Sequence, residues 1–463
     1  MTNKAWGGRF RQDTDRQMLD FSESVSFDHR LAEMDIMGSM AHARMLGETG
    51  IITKDDAKSI IAGLEEVIEE VREGKLELKV EHEDIHMNVE VRLREKIGDA
   101  AGKLHTGRSR NDQICLDMKM HFRRASRHAI EAIDGLLFAI ARQAELNIDA
   151  IMPGFTHTRK AQPILFSHHL MAYAEMLLRD RERFEDCRRR MNLSPLGSGA
   201  FAGTTFPIDR EMTAKELGFD GVTRNSIDGV ADRDFLIEFG AAASITMLHL
   251  SRMMEELIWW GLPEVGFVEL PESFCTGSSM MPNKKNPDAA ELVRGKSGRV
   301  LGALFGLMTV MKGTPLAYNR DLQEDKEGMF DAADTLIQCL VVSARLIAGM
   351  DVNAERMRES AKSGFVLATD LADYLATKGM PFREAHEVAG SMVAYCEDKC
   401  TSLEDMDLDE MREFSALFEK DVSGWMSLEA AVKRRNIEGG TAPERVKNEI
   451  ERLKKILGSE EKE

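Results

Sequence analysis

The sequence predicts an all-α fold: an elongated central bundle of long helices, flanked by smaller N- and C-terminal helical domains. Three observations carry the prediction. Proline is absent from Asn111 to Met152, from Ile164 to Ser194 and from Glu211 to Leu262, which leaves room for helices well beyond the usual length of about 11–12 residues. Apolar residues recur at the three-to-four spacing of a buried helical stripe, as in Ile60, Ile61, Leu64, Val67, Ile68 and Val71. Alternating strand patterns are sparse, and no internal repeat or low-complexity linker interrupts the chain.

The first helix with legible ends opens at Thr53, a capping residue ahead of Asp55 and Asp56, and closes at Gly74. Longer elements follow inside the three proline-free stretches. A fourth, Asp288 to Met311, carries Gly295, Gly298, Gly302 and Gly306 at spacings of three and four. Each glycine costs about 1 kcal/mol of helix stability, a cost that close approach of a neighbouring helix would justify. A fifth runs from Asp325 to Ala348. These elements define a central domain, 111–350, between an N-terminal helical domain, 1–110, and a C-terminal one, 351–463. Long amphipathic helices with 29 methionines in the chain expose more apolar surface than one bundle covers, so oligomerisation is expected.

Composition narrows the function. With 43% hydrophobic and 30% charged residues over 463 positions, the chain is globular and large enough for a substantial core. Lys and Arg total 61 against 79 Asp and Glu, a net charge of −18 that opposes binding to nucleic acid or an anionic membrane. A small anionic substrate stays compatible, because local lysines and arginines can line a site in a negative protein. The six cysteines, at 115, 187, 275, 339, 396 and 400, are scattered; reduced thiols are expected, and Cys396 and Cys400 lack the nearby histidines of a zinc site. Residues 1–9 hold no apolar core of signal-peptide length, no apolar run is expected to approach a membrane span, and the expected compartment is cytoplasmic.

Four polar segments concentrate the chemistry. The stretch 276–287 places Gly277, Ser278, Ser279, Lys284, Lys285 and Asn286 ahead of Pro287, with Pro282 inside, and reads as a hinged loop that closes over an anion at a helix start. Glu83, Asp84 and His86 form a second cluster. In the third, Gly107, Arg108, Ser109, Arg110 and Asn111 suit a carboxylate, with arginine fitted for bidentate pairing, but lack the spacing of a nucleotide phosphate loop. The fourth holds His157 between Thr156 and Thr158 in a loop braced by Pro153 and Pro163; histidine is the side chain suited to proton transfer near neutrality. Each string taken singly reads equally as a solvated loop, a helix start or a packed histidine.

Together they are recognisable. Residues 277–287 follow the G-S-S-x-M-P-x-K-x-N-P pattern of the fumarase/aspartase superfamily, and within it the chain resembles the argininosuccinate lyase family from end to end. The resemblance rests on Trp6 to Phe10, Glu83 to His86, Gly102 to Gln113, Asp232 to Phe235, Ala317 to Glu327 and Gly439 to Pro443. It implies a homotetramer with a twenty-helix core, active sites each built from three subunits, and reversible anti elimination of argininosuccinate to L-arginine and fumarate in arginine biosynthesis. It also implies that neither metal nor organic cofactor takes part.

The resemblance carries roles to particular residues. Ser278 matches the loop serine of proton transfer, and His157 with Glu291 the histidine–carboxylate pair. Ser24, Ser109, Arg110, Asn111, Thr156, Asn286, Tyr318, Gln323 and Lys326 match substrate-binding positions. Lys284 and Arg233 are further polar candidates, and Asp84 and His86 line the cleft. Proton removal beside a carboxylate builds a second negative charge there, which Lys284, Asn286 and loop N–H groups are suited to hold. Ser278 is expected as base, with His157 and Glu291 on the acid side. Thr158 and Arg159 depart from the family's usual Leu-Gln. Relatives acting on another fumaryl substrate, such as adenylosuccinate or aspartate, would share the 277–287 loop; the 102–113 and 318–326 blocks argue for argininosuccinate.

Overall fold

The computed structural model describes residues 14–458, so the Trp6 to Phe10 motif lies outside the described residues. Helices α1 (Ala32–Glu48), α2 (Lys54–Arg72) and α3 (Ile85–Ile97) pack on one another ahead of the longest helix, α4 (Arg110–Leu146). Next come strands β1 (Ile151–Thr156) and β2 (Arg159–Leu165), then helices α5 (Phe166–Met191) and α6 (Asp234–Trp260). After the short strand β3 (Val268–Glu269) come α7 (Asp288–Gly313), α8 (Glu327–Gly349), β4 (Asp351–Val352), α9 (Ala354–Ala361) and, nearest the C-terminus, α10 (Pro443–Gly458). Shorter helices fill the intervals, and β3 pairs antiparallel with β4. The fold is all-α, with its five long helices, α4 to α8, where the proline-free stretches place them.

Local chemistry explains the ends. Thr53 caps α2, its hydroxyl accepting from the Asp56 N–H at 3.1 Å, and Gly74 turns the chain at φ 66°. Gly47 lets α1 meet α2: a Cβ there would stand 2.6 Å from that of Ala57.

The described chain forms two compact units. One comprises Met1–Ile130, Glu182–Ile245 and Gly298–Leu336, the other Glu131–Arg181, Thr246–Ser297 and Ile337–Glu463, and each long helix contributes to both. In the first unit, Phe122, Phe184, Phe239 and Phe330 from four long helices are buried together, with Phe122 edge-on to Phe239 at 5.0 Å and Phe239 edge-on to Phe184 at 5.4 Å. Each such pair adds about 0.5–1.5 kcal/mol beyond the area it buries. In the second, Tyr374 stacks on Phe418 inside a core that includes Leu371, Met392 and Leu403, and its hydroxyl donates to Asp421 at 2.6 Å.

Three expectations need correction. The segment braced by Pro153 and Pro163 is an antiparallel hairpin with those two prolines opposite each other; a two-stranded ribbon has free edges, where a missing N–H costs nothing. The glycines of α7 meet no neighbour: a Cβ at Gly295, Gly298, Gly302 or Gly306 would have open space within 4 Å, and Leu292, Phe305 and Met308 beside them are 60%, 75% and 50% exposed. Finally, one described helical stretch, Arg320–Gly349, is long and apolar enough to cross a membrane by composition, but half of its apolar 18-residue window is buried inside the protein, as in a core helix. The cysteines are all free thiols.

Candidate functional site

The first unit gathers most of the predicted binding residues around one cavity of about 260 Å3. Ser24, Asp84, Arg110, Asn111, Tyr318, Gln323 and Lys326 all line it. Capping positions several of them. Asp84 is the N-cap of α3, accepting from the Met87 N–H at 2.7 Å, and its second oxygen stands 3.6 Å from Arg110 Nε. Arg110 and Asn111 begin α4, where the Ser109 hydroxyl accepts from the Asn111 N–H at 3.3 Å and the Asn111 amide donates to the Ala200 carbonyl at 3.0 Å. Ser24 is buried, donating to Asp28 at 2.6 Å, while Gln323 donates to the Ser22 and Glu23 carbonyls at 3.3 and 3.2 Å.

Two predicted residues lie beneath the cavity instead of on it. His86 is buried, its Nδ1 3.0 Å from Asp35 and 3.5 Å from Asp117. Burial pushes the Asp35 carboxyl up, but His86, Arg108 and Gln113 outweigh it and hold Asp35 at about 2. Burial and the Asp35 charge push Asp117 well above the ordinary carboxylate range. His86, Asp35 and Asp117 bring ligand-type atoms within 4.8 Å of one another, yet the buried Arg108 already supplies positive charge to both acids. Arg233 is fully buried as well, donating to the Asp325 carboxylate and to the Asp232 carbonyl at 2.8 Å. Asp325 also accepts from Lys326 Nζ at 2.8 Å. Burial opposes its charge, but Lys326 and Arg233 together hold its carboxyl below the ordinary value. Arg233 therefore does not line the cavity and bears on it through Asp325, which also holds Lys326.

The second unit holds the predicted proton-transfer groups. The loop after Thr276 is closed at its neck by a pair of backbone hydrogen bonds between Thr276 and Asn286, 3.1 and 2.7 Å long, and the Thr276 hydroxyl donates to Asp288 at 2.5 Å on the first turn of α7. Beyond the neck, Ser278 Oγ accepts from the N–H groups of Met280 and Met281 at 3.3 and 3.1 Å, donors that stabilise negative charge on the oxygen. Lys285 pairs with Glu269 at 3.0 Å; Lys284 is exposed and, among the described residues, has no acidic partner. Glu291 is exposed on α7, 4.0 Å from Arg294. Thr156 ends β1, and His157 and Thr158 form the exposed two-residue turn of the hairpin. Among the described residues, no hydrogen bond joins the His157 ring to Glu291 or Ser278. A larger cavity of about 740 Å3 takes Asn283 and Lys285 from the loop but none of the predicted site residues.

Sequence reasoning missed Asp28, Arg320 and Asp325. Arg320, in the cavity wall, pairs with Glu83 at 2.8 Å. Arg320 and Asp325 sit inside the 317–327 block and were legible as members of it; nothing in the sequence marks Asp28.

Comparison with known proteins gives the family. Residues 8–302 match the family described as Lyase, and residues 365–433 the one described as Argininosuccinate lyase C-terminal. The argininosuccinate lyase of Citrifermentans bemidjiense is 56% identical over 98% of this chain and 99% of its own, and that of Heliobacterium mobile 53% identical over 99% and 100%. Among solved structures, an EDDS lyase in complex with formate is 31% identical with a TM-score of 0.85, covering 95% of this chain and 88% of that one. A class II fumarase from Schistosoma mansoni shares the fold alone, at 15% identity and a TM-score of 0.73 over 88% and 93% of the chains. The chain belongs to the argininosuccinate lyase family of the fumarase/aspartase superfamily.

Proposed function

We propose that this lyase catalyses the reversible anti elimination of argininosuccinate to L-arginine and fumarate, the cytoplasmic step of arginine biosynthesis that releases the amino acid, as a homotetramer and without a metal or organic cofactor. The observation that carries the reading is the division of labour between the two sets of residues. The 260 Å3 cavity offers Arg110, Lys326, Gln323 and Asn111 to a substrate rich in carboxylates. The 277–287 loop offers Ser278, with two N–H donors on its oxygen, and the exposed Lys284. Neither set alone performs an elimination, which needs substrate anchoring, a base and an acid together.

Ser278 takes the proton from the succinyl carbon next to a carboxylate, and Lys284, Asn286 and the loop N–H groups hold the second negative charge that forms on that carboxylate. His157, with Glu291 behind it, protonates the guanidinium nitrogen as it leaves. Thr156 and Ser109 bind substrate, and Asp84 and His86 shape the cleft. Each site draws on three subunits, so His157, Glu291 and Ser278 need not meet within one chain. The open glycine-lined face of α7, with Leu292, Phe305 and Met308, supports a twenty-helix core in which that face meets another subunit. The three domains, 1–110, 111–350 and 351–463, belong to the same reading, as does the expectation of no nucleic-acid or membrane partner, which the −18 charge disfavours.

Fumarate release from argininosuccinate, followed by its ultraviolet absorbance, tests the reaction; no signal from folded enzyme overturns it. Hydrogen–deuterium exchange at the substrate Cβ assigns the base. Exchange retained in Ser278→Ala and lost in His157→Asn would reverse the two roles.

A further inference from the structure

The turn that carries His157 is held in a conformation its own residues disfavour. His157 and Thr158 have φ of 52° and 61°, the left-handed pair of a two-residue hairpin turn normally given to asparagine and glycine. Thr158 is β-branched, for which a positive φ is a true outlier. Such backbone persists only where the surroundings over-determine it. Thr158 Oγ1 donates to the His157 carbonyl at 2.6 Å within the turn, and the tertiary ties of the two strands run to the C-terminal part of the chain. Lys160, three residues beyond the histidine and paired across the hairpin with Phe155, donates from Nζ to the Ser360 carbonyl at 2.7 Å and to Ser363 Oγ at 2.5 Å. Its methylene stem lies against Gly364, whose φ is 83° and where a Cβ would stand 3.3 Å from Lys160 Cδ. At the far end of β2 the Leu165 N–H donates to Thr441 Oγ1 at 2.9 Å, and β1 packs along α9.

We propose that Lys160 is a positioning residue for the reaction: by tying β2 to the Ser360–Gly364 corner it sets the place and orientation of the His157 turn, so that the C-terminal part of the chain aims the acid. The inference rests on the assignment of His157 given above. A lysine that served only the stability of the hairpin would leave the rate of the folded enzyme unchanged. One that aims the imidazole controls it, since misplacing a reacting group by about 1 Å costs on the order of 100-fold in rate.

The test uses the full-length enzyme with argininosuccinate at equal folded content, for Lys160→Met, Lys160→Arg, His157→Asn and the double variant Lys160→Met/His157→Asn. Lys160→Met is expected to lower kcat by about tenfold or more with KM nearly unchanged. Lys160→Arg, which keeps the donors, should recover most of that loss. In the His157→Asn background Lys160→Met should add nothing, the non-additivity of residues acting through one another. An unchanged kcat in Lys160→Met, or an equal loss with and without His157, overturns the inference. A fully active His157→Asn overturns the histidine assignment instead, so the two failures are distinct. Should Lys160→Met not fold, Ser363→Ala, which removes one acceptor, carries the same test: a fall in kcat at constant KM supports the brace, and wild-type kinetics overturn it.

Discussion

Replacing Asp325 with asparagine probes the buried charge chain beneath the cavity. In the folded protein the Asp325 carboxylate is fully buried and accepts from two cations, Arg233, itself fully buried, and Lys326 at 2.8 Å, which is 2% exposed. Asparagine keeps the shape but offers one acceptor oxygen and an amide that is itself a donor. One cation then loses a charge-assisted hydrogen bond, worth about 1.5–3 kcal/mol, and both lose the only acid that pairs with them among the described residues. Breaking a buried pair from one side costs roughly 3–5 kcal/mol in total. Urea unfolding at fixed protein concentration, at neutral pH, should show a loss in that range. Kinetics should show KM raised about tenfold, the equivalent of about 1.4 kcal/mol, as Lys326 is no longer presented to the substrate. Lys326→Met serves as the contrast: it leaves the Arg233–Asp325 pair intact and should raise KM with less than half of the stability loss. Asp325→Asn unfolding within about 1 kcal/mol of wild type, with KM unchanged, would refute the reasoning, because a desolvated pair cannot lose its anion so cheaply.

The quaternary reading predicts that Phe305→Glu, which places a charge on the open face of α7 where Phe305 is 75% exposed, leaves the chain folded but shifts it to smaller species by light scattering. Mixing two impaired variants, Ser278→Ala and Lys326→Met, should raise the activity above that of either alone once subunits exchange; no gain from mixed oligomers would contradict sites shared between chains. Acid sensitivity is a third consequence. Burial, with Arg30 and Arg124 nearby, holds the His121 imidazole down at about 3, against about 6.5 when unfolded. Below 6.5 the unfolded chain therefore binds the extra proton, and stability falls with pH by about 2 kcal/mol between pH 7 and 5 from this residue. His121→Leu should lose that much less over the interval in urea titrations; Asp117, pushed well above the ordinary carboxylate range, acts in the opposite sense and alike in both proteins.

Much of the architecture was legible because proline punctuates it: the five long helices fall where proline is absent, and α2 starts and stops at Thr53 and Gly74. The hairpin was not legible, because Pro153 and Pro163 read as breakers when each is considered alone. Only the register, which sets them opposite each other on a ribbon with free edges, makes them strand residues. The α7 glycines read as the mark of a close neighbour, yet none meets one within the described residues, because a repeat of small residues does not say which surface, if any, lies against it. Within the site, the residues that offer charge to a ligand were recognisable by type. Those that act on other residues were not: Asp325 looks like the wrong sign for an anion site until its two cations are seen, and Arg233 looks like a ligand until its complete burial is known.

The exposure of the proton-transfer groups sets the order of events in the proposed reaction. Hydrogen bonds that stabilise a developing charge are strong only where water is excluded, since the same pair of charges at 4 Å gains about 1 kcal/mol in water and about 4 at the dielectric of a protein surface. Lys284, His157 and Glu291 are exposed, and Ser278 is half-buried. Asn286 and Asp288 belong to the neck of the loop, fixed by the Thr276 hydrogen bonds, whereas Ser278 and Lys284 lie beyond it. Any closing motion therefore carries Ser278 and Lys284 together and leaves Asn286 in place. A substrate carboxylate gripped first by Asn286 would meet the base and the ammonium only as the loop shuts and water leaves. The hydroxyl then loses its proton in the state that can stabilise the product of that loss, and the open enzyme avoids holding an activated serine in water.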